Sequence, residues 1–138
     1  MSVEVHLVTP EREVWSGEAE MVIARGVDGE VGILAGHAPL LVQLAIGPLR
    51  IFRVGGQRDV AVVDGGFLHV STEAGATRVD VLATSGEMAT EIDLAAARYL
   101  KEQAEATLQS HGTNVLEAEV IAAEAELQKA IARITIAG

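Results

Sequence analysis

Gly26, Gly29, Gly32 and Gly36 are the first residues in this chain whose types and spacing could do chemistry, because closely set glycines free backbone amides to cradle a phosphate. A mononucleotide-binding loop would end in Gly-Lys-Ser/Thr, yet the only lysines are Lys101 and Lys129, far downstream. The strand–turn–helix setting of a dinucleotide fingerprint is missing too. The four glycines therefore read as turn residues. His6, His37, His69 and His111 could ligate a metal, but they stand singly, without the i, i+4 spacing of a helical metal site. No serine sits in a Gly-x-Ser-x-Gly elbow. The carboxylate pairs Glu11/Glu13, Glu18/Glu20 and Glu117/Glu119 read as solvated faces rather than as an acid–base couple. On these residues the chain reads as non-catalytic, with no metal site and no required cofactor.

One segment is denser in signals than the rest. Gly29–Leu41 packs three glycines, a proline, a histidine and a carboxylate around short apolar runs. It reads as a tightly turned connection between strands that presents Glu30 and His37.

The elements that must position these groups fall into two classes, divided near residue 86. Twelve of the 14 glycines and all 3 prolines lie at or before Gly86. The remainder is rich in Ala, Glu, Leu and Gln, which favour helices. Within residues 1–86 apolar side chains recur with period two: Val3, Val5 and Leu7; Ala19, Met21 and Ile23; Leu68 and Val70; Val79 and Val81. Turn signals separate them at Pro10, Gly26 to Gly29, Pro39, Gly47-Pro48, Gly55-Gly56, Asp64-Gly65-Gly66 and Gly75. The pattern predicts an antiparallel β-sandwich or flattened barrel. Residues 87–138 predict an antiparallel two-helix hairpin. Its first helix is capped by Thr90 and Asp93 and runs to about Gln109, and Ser110-His111-Gly112 breaks it. Asn114 and Glu117 open the second helix. There Leu116, Val120, Ala123, Leu127, Ala130 and Ile134 form one apolar stripe. Alanine supplies many contact positions in this seam, and each Ala in place of Leu forgoes roughly 1–2 kcal/mol of burial. The hairpin is thus expected to be a two-state element that a partner can bias.

Charge narrows the partner classes. The chain of 138 residues has a net charge of −10, distributed over both parts, and no basic stripe to neutralise a phosphate backbone. Nucleic acid and anionic lipid are disfavoured, which leaves protein. No run approaches the ~20 apolar residues of a membrane-spanning helix, so direct membrane insertion is not expected. The first residues read as neither a signal nor a transit peptide. The absence of cysteine fits a reducing compartment.

These features come together in a resemblance. Residues 8–19 (Val-Thr-Pro-Glu-Arg-Glu-Val-Trp-Ser-Gly-Glu-Ala), the Gly29–Leu41 loop, Asp64-Gly-Gly-Phe-Leu-His-Val, Val79-Asp-Val-Leu-Ala, Ser110-His-Gly and Ala125–Arg133 follow in order and spacing the epsilon subunit family of bacterial-type F-type ATP synthases. The chain resembles that family nearly end to end. The resemblance implies a β-sandwich with a C-terminal helix hairpin, acting as a central-stalk rotor subunit without catalytic sites of its own. The sandwich would bind the gamma subunit and the c-ring, peripherally on the cytoplasmic face of the bacterial plasma membrane. Carried over by position, Glu30 is the c-ring contact, and Thr9, His37 and Val42 face gamma. Without the resemblance, Glu30 reads as a solvated turn carboxylate, His37 as a loop cap and Val42 as either core or interface.

In this family the hairpin often regulates ATP hydrolysis, extending along gamma to reach an acidic segment of a beta subunit in the alpha/beta catalytic ring. Here residues 87–138 carry 9 acidic and 4 basic side chains, so the electrostatic grip of an extended hairpin is expected to be feeble. The alternative function is ATP sensing through an Ile/Leu-Asp-x-x-Arg-Ala signature. Ile92, Asp93 and Ala97 match it, and Glu87 fits a further carboxylate position. Ala96 and Gln103 stand where arginines belong, and Arg98 lies about 200° around the helix from position 96. The main phosphate partners are therefore lost.

Overall fold

In the computed structural model residues 1–110 and 117–137 are described, and they divide into two compact units, Met1–Ala89 and Thr90–Gly138. The first contains β1 (Val3–Val8), β2 (Glu13–Gly26), β3 (Gly29–Leu34), β4 (Leu40–Arg53), β5 (Arg58–Glu73), β6 (Ala76–Ala83) and β7 (Gly86–Met88). A 3-10 turn at Ala89–Glu91 spans the division, and α1 (Leu94–Gln109) and α2 (Glu117–Ala137) follow. The units part three residues after the compositional change at 86, because Gly86–Met88 adds a strand to β5 rather than opening the helical part.

β1 closes the sheet on itself. It pairs antiparallel with β2 and parallel with β6, completing the cycle β1–β6–β5–β4–β2. The long strands β2 and β5 each hold two partners end to end along one edge. β2 takes β1 and then β3, and β5 takes β7 and then β6. The result is a flattened barrel with two layers, as its period-two pattern predicts.

Its core is built from inward residues of the alternating strands. Val3, Val5, Leu7, Leu68, Val70, Val79 and Val81 are fully buried, matching the sequence reading. In β2 the expected phase fails. Ala19 is buried, but the next buried side chains are Val22 and Ala24, not Met21 and Ile23. The register slips between Ala19 and Met21, and the extra residue reverses which side chains point inward.

Two expected turns also prove to be interior features of strands. Gly47-Pro48 lies inside β4, where residues 45–48 stand opposite the single residue Arg25 of β2. Asp64-Gly65-Gly66 lies inside β5, with Gly65 at φ +85 and Gly66 at φ +119. The long β4–β5 hairpin keeps one register across both places and turns only at Val54–Gln57. Asp64 is buried there and accepts a 2.6 Å hydrogen bond from the Ser85 hydroxyl.

In the second unit α1 and α2 pack as a hairpin. The C-terminal half of α1 and the N-terminal half of α2, from Leu100 to Thr107 and from Glu119 to Glu126, line one groove of about 340 Å³, which fixes the antiparallel sense. Asp93, not Thr90, is the N-cap, and its Oδ1 accepts from the Ala96 amide at 3.0 Å. α1 ends at Gln109 as expected, with Ser110 as the cap. The expected Gly112 turn, the Asn114 cap and Leu116 of the stripe lie outside the described residues. Along the rest of the stripe Ala123 and Ala130 are buried, and Val120, Leu127 and Ile134 are half-buried.

The two cores differ in kind. The twelve largest fully buried side chains are all Leu, Ile or Val of the sandwich, each contributing about 1.5–3 kcal/mol by burial. The buried helix residues are alanines only, Ala97, Ala104, Ala123 and Ala130.

Candidate functional site

Glu30 stands near the tip of the β2–β3 hairpin, on a strand rather than in a loop. Alternation on β3 buries Ile33 and leaves Glu30 exposed. Its register partner is Arg25, and Arg50 on β4 approaches Glu30 Oε2 to 3.3 Å. Both side chains of that ion pair are substantially exposed, so it stabilises by no more than about 1 kcal/mol. A depression of about 410 Å³ opens beside it, lined by residues 26–31 and 40–43. Arg50 lies twenty residues away in sequence, and nothing local to Glu30 signals it.

The second surface is the outer face of β4, β5, β6 and β1. Inward Leu68, Val70, Val79 and Val81 leave Phe67, His69, Asp80 and Leu82 pointing outward. One row across the face reads Leu41, His69, Asp80, His6, and the next reads Gln43, Phe67, Leu82, Val8. The charged end is tightly paired. Arg78 holds Asp80 through Nε at 3.0 Å and Nη2 at 3.1 Å, and Glu4 lies at 3.5 Å. The Arg78 pKa is raised, first by the hydrogen bond to Asp80 and then by its charge. His6 Nδ1 lies 3.1 Å from Glu13, and Glu4 is 3.7 Å from its other nitrogen. Among the described residues no cluster could hold a metal ion.

Thr9, His37 and Val42 are not brought together. Thr9, at the end of β1, is buried, and its hydroxyl is engaged with the Arg12 backbone amide and carbonyl at 3.3 Å. His37 lies at the opposite end of the face. Its Nδ1 donates to the Ala38 carbonyl at 2.7 Å, and the neighbouring Gly36 amide donates to Thr77 Oγ1. Since Thr77 pairs with Val3 and Leu82 with Val8, the two ends are separated by five residues, roughly 17 Å. Val42 points inward from β4 and packs against the core. Thr9 and His37 thus lie toward opposite ends of the face, whose β4 side chains are Leu41, 65% exposed, and Gln43.

The nucleotide candidates divide between the units. Glu87 is on β7 opposite Val62, while Ile92 and Asp93 precede α1. The Asp93 carboxylate is occupied by the helix cap. Ala96 is exposed and brings no charge, and Gln103 lines the interhelical groove.

The first unit is a closed sandwich with an uncharged outward row and a separate exposed carboxylate at Glu30, and the second is an alanine-seamed helix pair. Comparison with known proteins assigns the chain's lineage. The beta-sandwich domain of the ATP synthase delta/epsilon chain matches residues 2–89, and the long alpha-helix domain of the same chain matches residues 90–138. The chain belongs to the ATP synthase delta/epsilon chain family, on its epsilon side. It is 40% identical to the ATP synthase epsilon chain of Chromohalobacter salexigens over 96% of this chain and 89% of that one. It is 44% identical to that of Desulforamulus reducens over 95% and 93%. Among solved structures, a chain of the Euglena gracilis mitochondrial ATP synthase superposes with a TM-score of 0.79 at 29% identity, covering 94% of this chain and 78% of that chain. A chain of the Tetrahymena thermophila mitochondrial ATP synthase central stalk and c-ring shares the fold, with a TM-score of 0.57 at 18% identity, covering 100% and 98%. No helix among the described residues is long and apolar enough to cross a membrane.

Proposed function

We propose that this chain is a non-catalytic rotor subunit of a proton-translocating F-type ATP synthase, coupling the gamma subunit to the c-ring from the cytoplasmic face of a bacterial plasma membrane. The observation that carries the reading is the continuous likeness of both units to bacterial epsilon chains. The mechanics agree with it. A barrel closed by β1 and filled with Leu, Ile and Val is stiff enough to pass torque. The hairpin, whose buried residues among those described are all alanines, is the element free to change partner, and an extended state would reach the alpha/beta ring. Glu30 is the c-ring contact in this reading, while Thr9 and His37 mark the two borders of the gamma-facing surface. Val42 supports that surface from within the core.

The reading is tested by reconstituting the membrane-bound enzyme without the chain, with the full chain, and with residues 1–89. Proton-driven ATP synthesis should fail in the first case and return in the other two. Hydrolysis should change little when residues 90–138 are missing, because the acidic hairpin holds an acidic partner weakly. Synthesis at full rate without the chain would refute the coupling role. ATP sensing draws no support from the site: no arginine stands at 96 or 103, and Asp93 is committed to its helix.

A further inference from the structure

We propose that the groove between α1 and α2 is a binding site for a linear aliphatic diammonium, a long-chain diamine charged at both ends. The proposal stands on the second unit alone and does not depend on the rotor reading. The groove has a volume of about 340 Å³, and its α2 wall is Glu119, Ala122, Ala123 and Glu126. These positions are spaced i, i+3, i+4, i+7, so they lie on one face of the helix, over two turns. The α1 wall repeats the spacing from Leu100 to Thr107, and the antiparallel order sets Thr107 toward the Glu119 end. Alanine leaves the middle unfilled. Ala104 and Ala123 are buried at its floor, and Ala122 is exposed above them.

The spacing of charge decides the ligand. Glu119 and Glu126 are both exposed, and seven residues on one face set them about 10 Å apart along the helix. Both cannot ligate one metal ion, since its oxygen ligands must lie within about 2.6 Å of it. Two cations joined by an apolar chain fit instead: an ammonium meets each carboxylate, and methylenes cover the alanines between. None of the described residues lining the groove is basic, so it offers two negative charges at its ends. Lys129 reaches Glu126 from outside the groove at 3.4 Å, in an exposed pair weak enough for an incoming ammonium to share. An anion is repelled by the same two carboxylates, and Gln103 on the facing wall brings an amide without charge.

Isothermal titration of the full chain with diaminooctane tests the site, beside diaminobutane and octylamine. The variants are Glu119→Gln, Glu126→Gln, Glu124→Gln and Ala122→Leu. Diaminobutane is too short to span both carboxylates and octylamine answers only one, so diaminooctane should bind at least about tenfold more tightly than either. Glu119→Gln and Glu126→Gln should each weaken its binding about fivefold or more. Glu124 is exposed on α2 outside the groove, so Glu124→Gln should stay within about twofold of wild type. Ala122→Leu keeps both carboxylates but fills the space between them, and binding should be lost while the hairpin stays folded. Helical circular dichroism establishes folding, and if one glutamine variant fails to fold, the other decides. Absence of binding to wild type would overturn the proposal. So would equal affinity for the three amines, an equal loss in Glu124→Gln, or retained binding in Ala122→Leu, each the mark of a diffuse counterion.

Discussion

At Gly66 a single missing methyl group sets the distance between two strands. Its φ is +119, and a Cβ there would collide with the Leu82 carbonyl oxygen and stand 2.9 Å from Ala83 Cα. Gly66→Ala should lower stability by about 3 kcal/mol, read by urea unfolding followed at Trp15. Gly32 faces open space, so Gly32→Ala should change it by less than about 0.5 kcal/mol in the same assay. The need for positive φ at Gly65 and Gly66 is legible in the sequence, but its use is not. A hairpin turn and a bend inside a long strand ask the same of local backbone, and only the partner strand distinguishes them. Phe67 and Leu82 left a fainter signal. Each breaks the alternation by setting an apolar residue beside a buried one, Leu68 or Val81, and a buried strand edge would look the same. The exposure of Glu30 was readable, whereas its ion-pair partner Arg50 was not, since the pairing depends on β4 lying beside β2.

Among the elements, periodicity was readable wherever the ladder is regular. β1 and β6, together with the C-terminal half of β5, show the inward faces their alternation predicts. β2 does not, because a bulge opposite β4 shifts its phase after Ala19, and the count of residues on a partner strand is invisible in one sequence. Helix boundaries behaved similarly: Asp93 rather than Thr90 caps α1, since Ala89–Glu91 first makes a 3-10 turn. The groove between α1 and α2 shows where the seam is incomplete. Ala122 lines it and is exposed, so Ala122→Leu should fill space and stabilise the hairpin by roughly 1–2 kcal/mol. Hydrogen exchange should report this as slower exchange in α1 and α2, with strand amides unchanged. In the wild type the same measurement should show both helices exchanging well before the sandwich core.

For the molecule as a whole, the division at Ala89 separates parts with different energetic means. Among the described residues the sandwich holds every large fully buried side chain, so residues 1–89 should fold alone. Their Trp15 emission and unfolding midpoint should match those of the sandwich in the full chain. A shifted midpoint would show that the helices contribute to its stability. Trp15 suits this purpose because its indole donates to Asp59 at 3.1 Å, and Asp59 is also held by Arg53 at 2.7 Å. The three elements meet only when β2, β4 and β5 are assembled.

The parallel pairing of β1 with β6 carries a consequence for biosynthesis. Val3 waits for Thr77, and Val8 for Leu82, so the amino-terminal strand lacks its second neighbour until more than half the polypeptide has been translated. Ring closure is therefore a late, long-range event of the kind that slows folding. A nascent chain that has not yet reached β6 cannot present the finished face, so that surface forms only after Leu82 has been added.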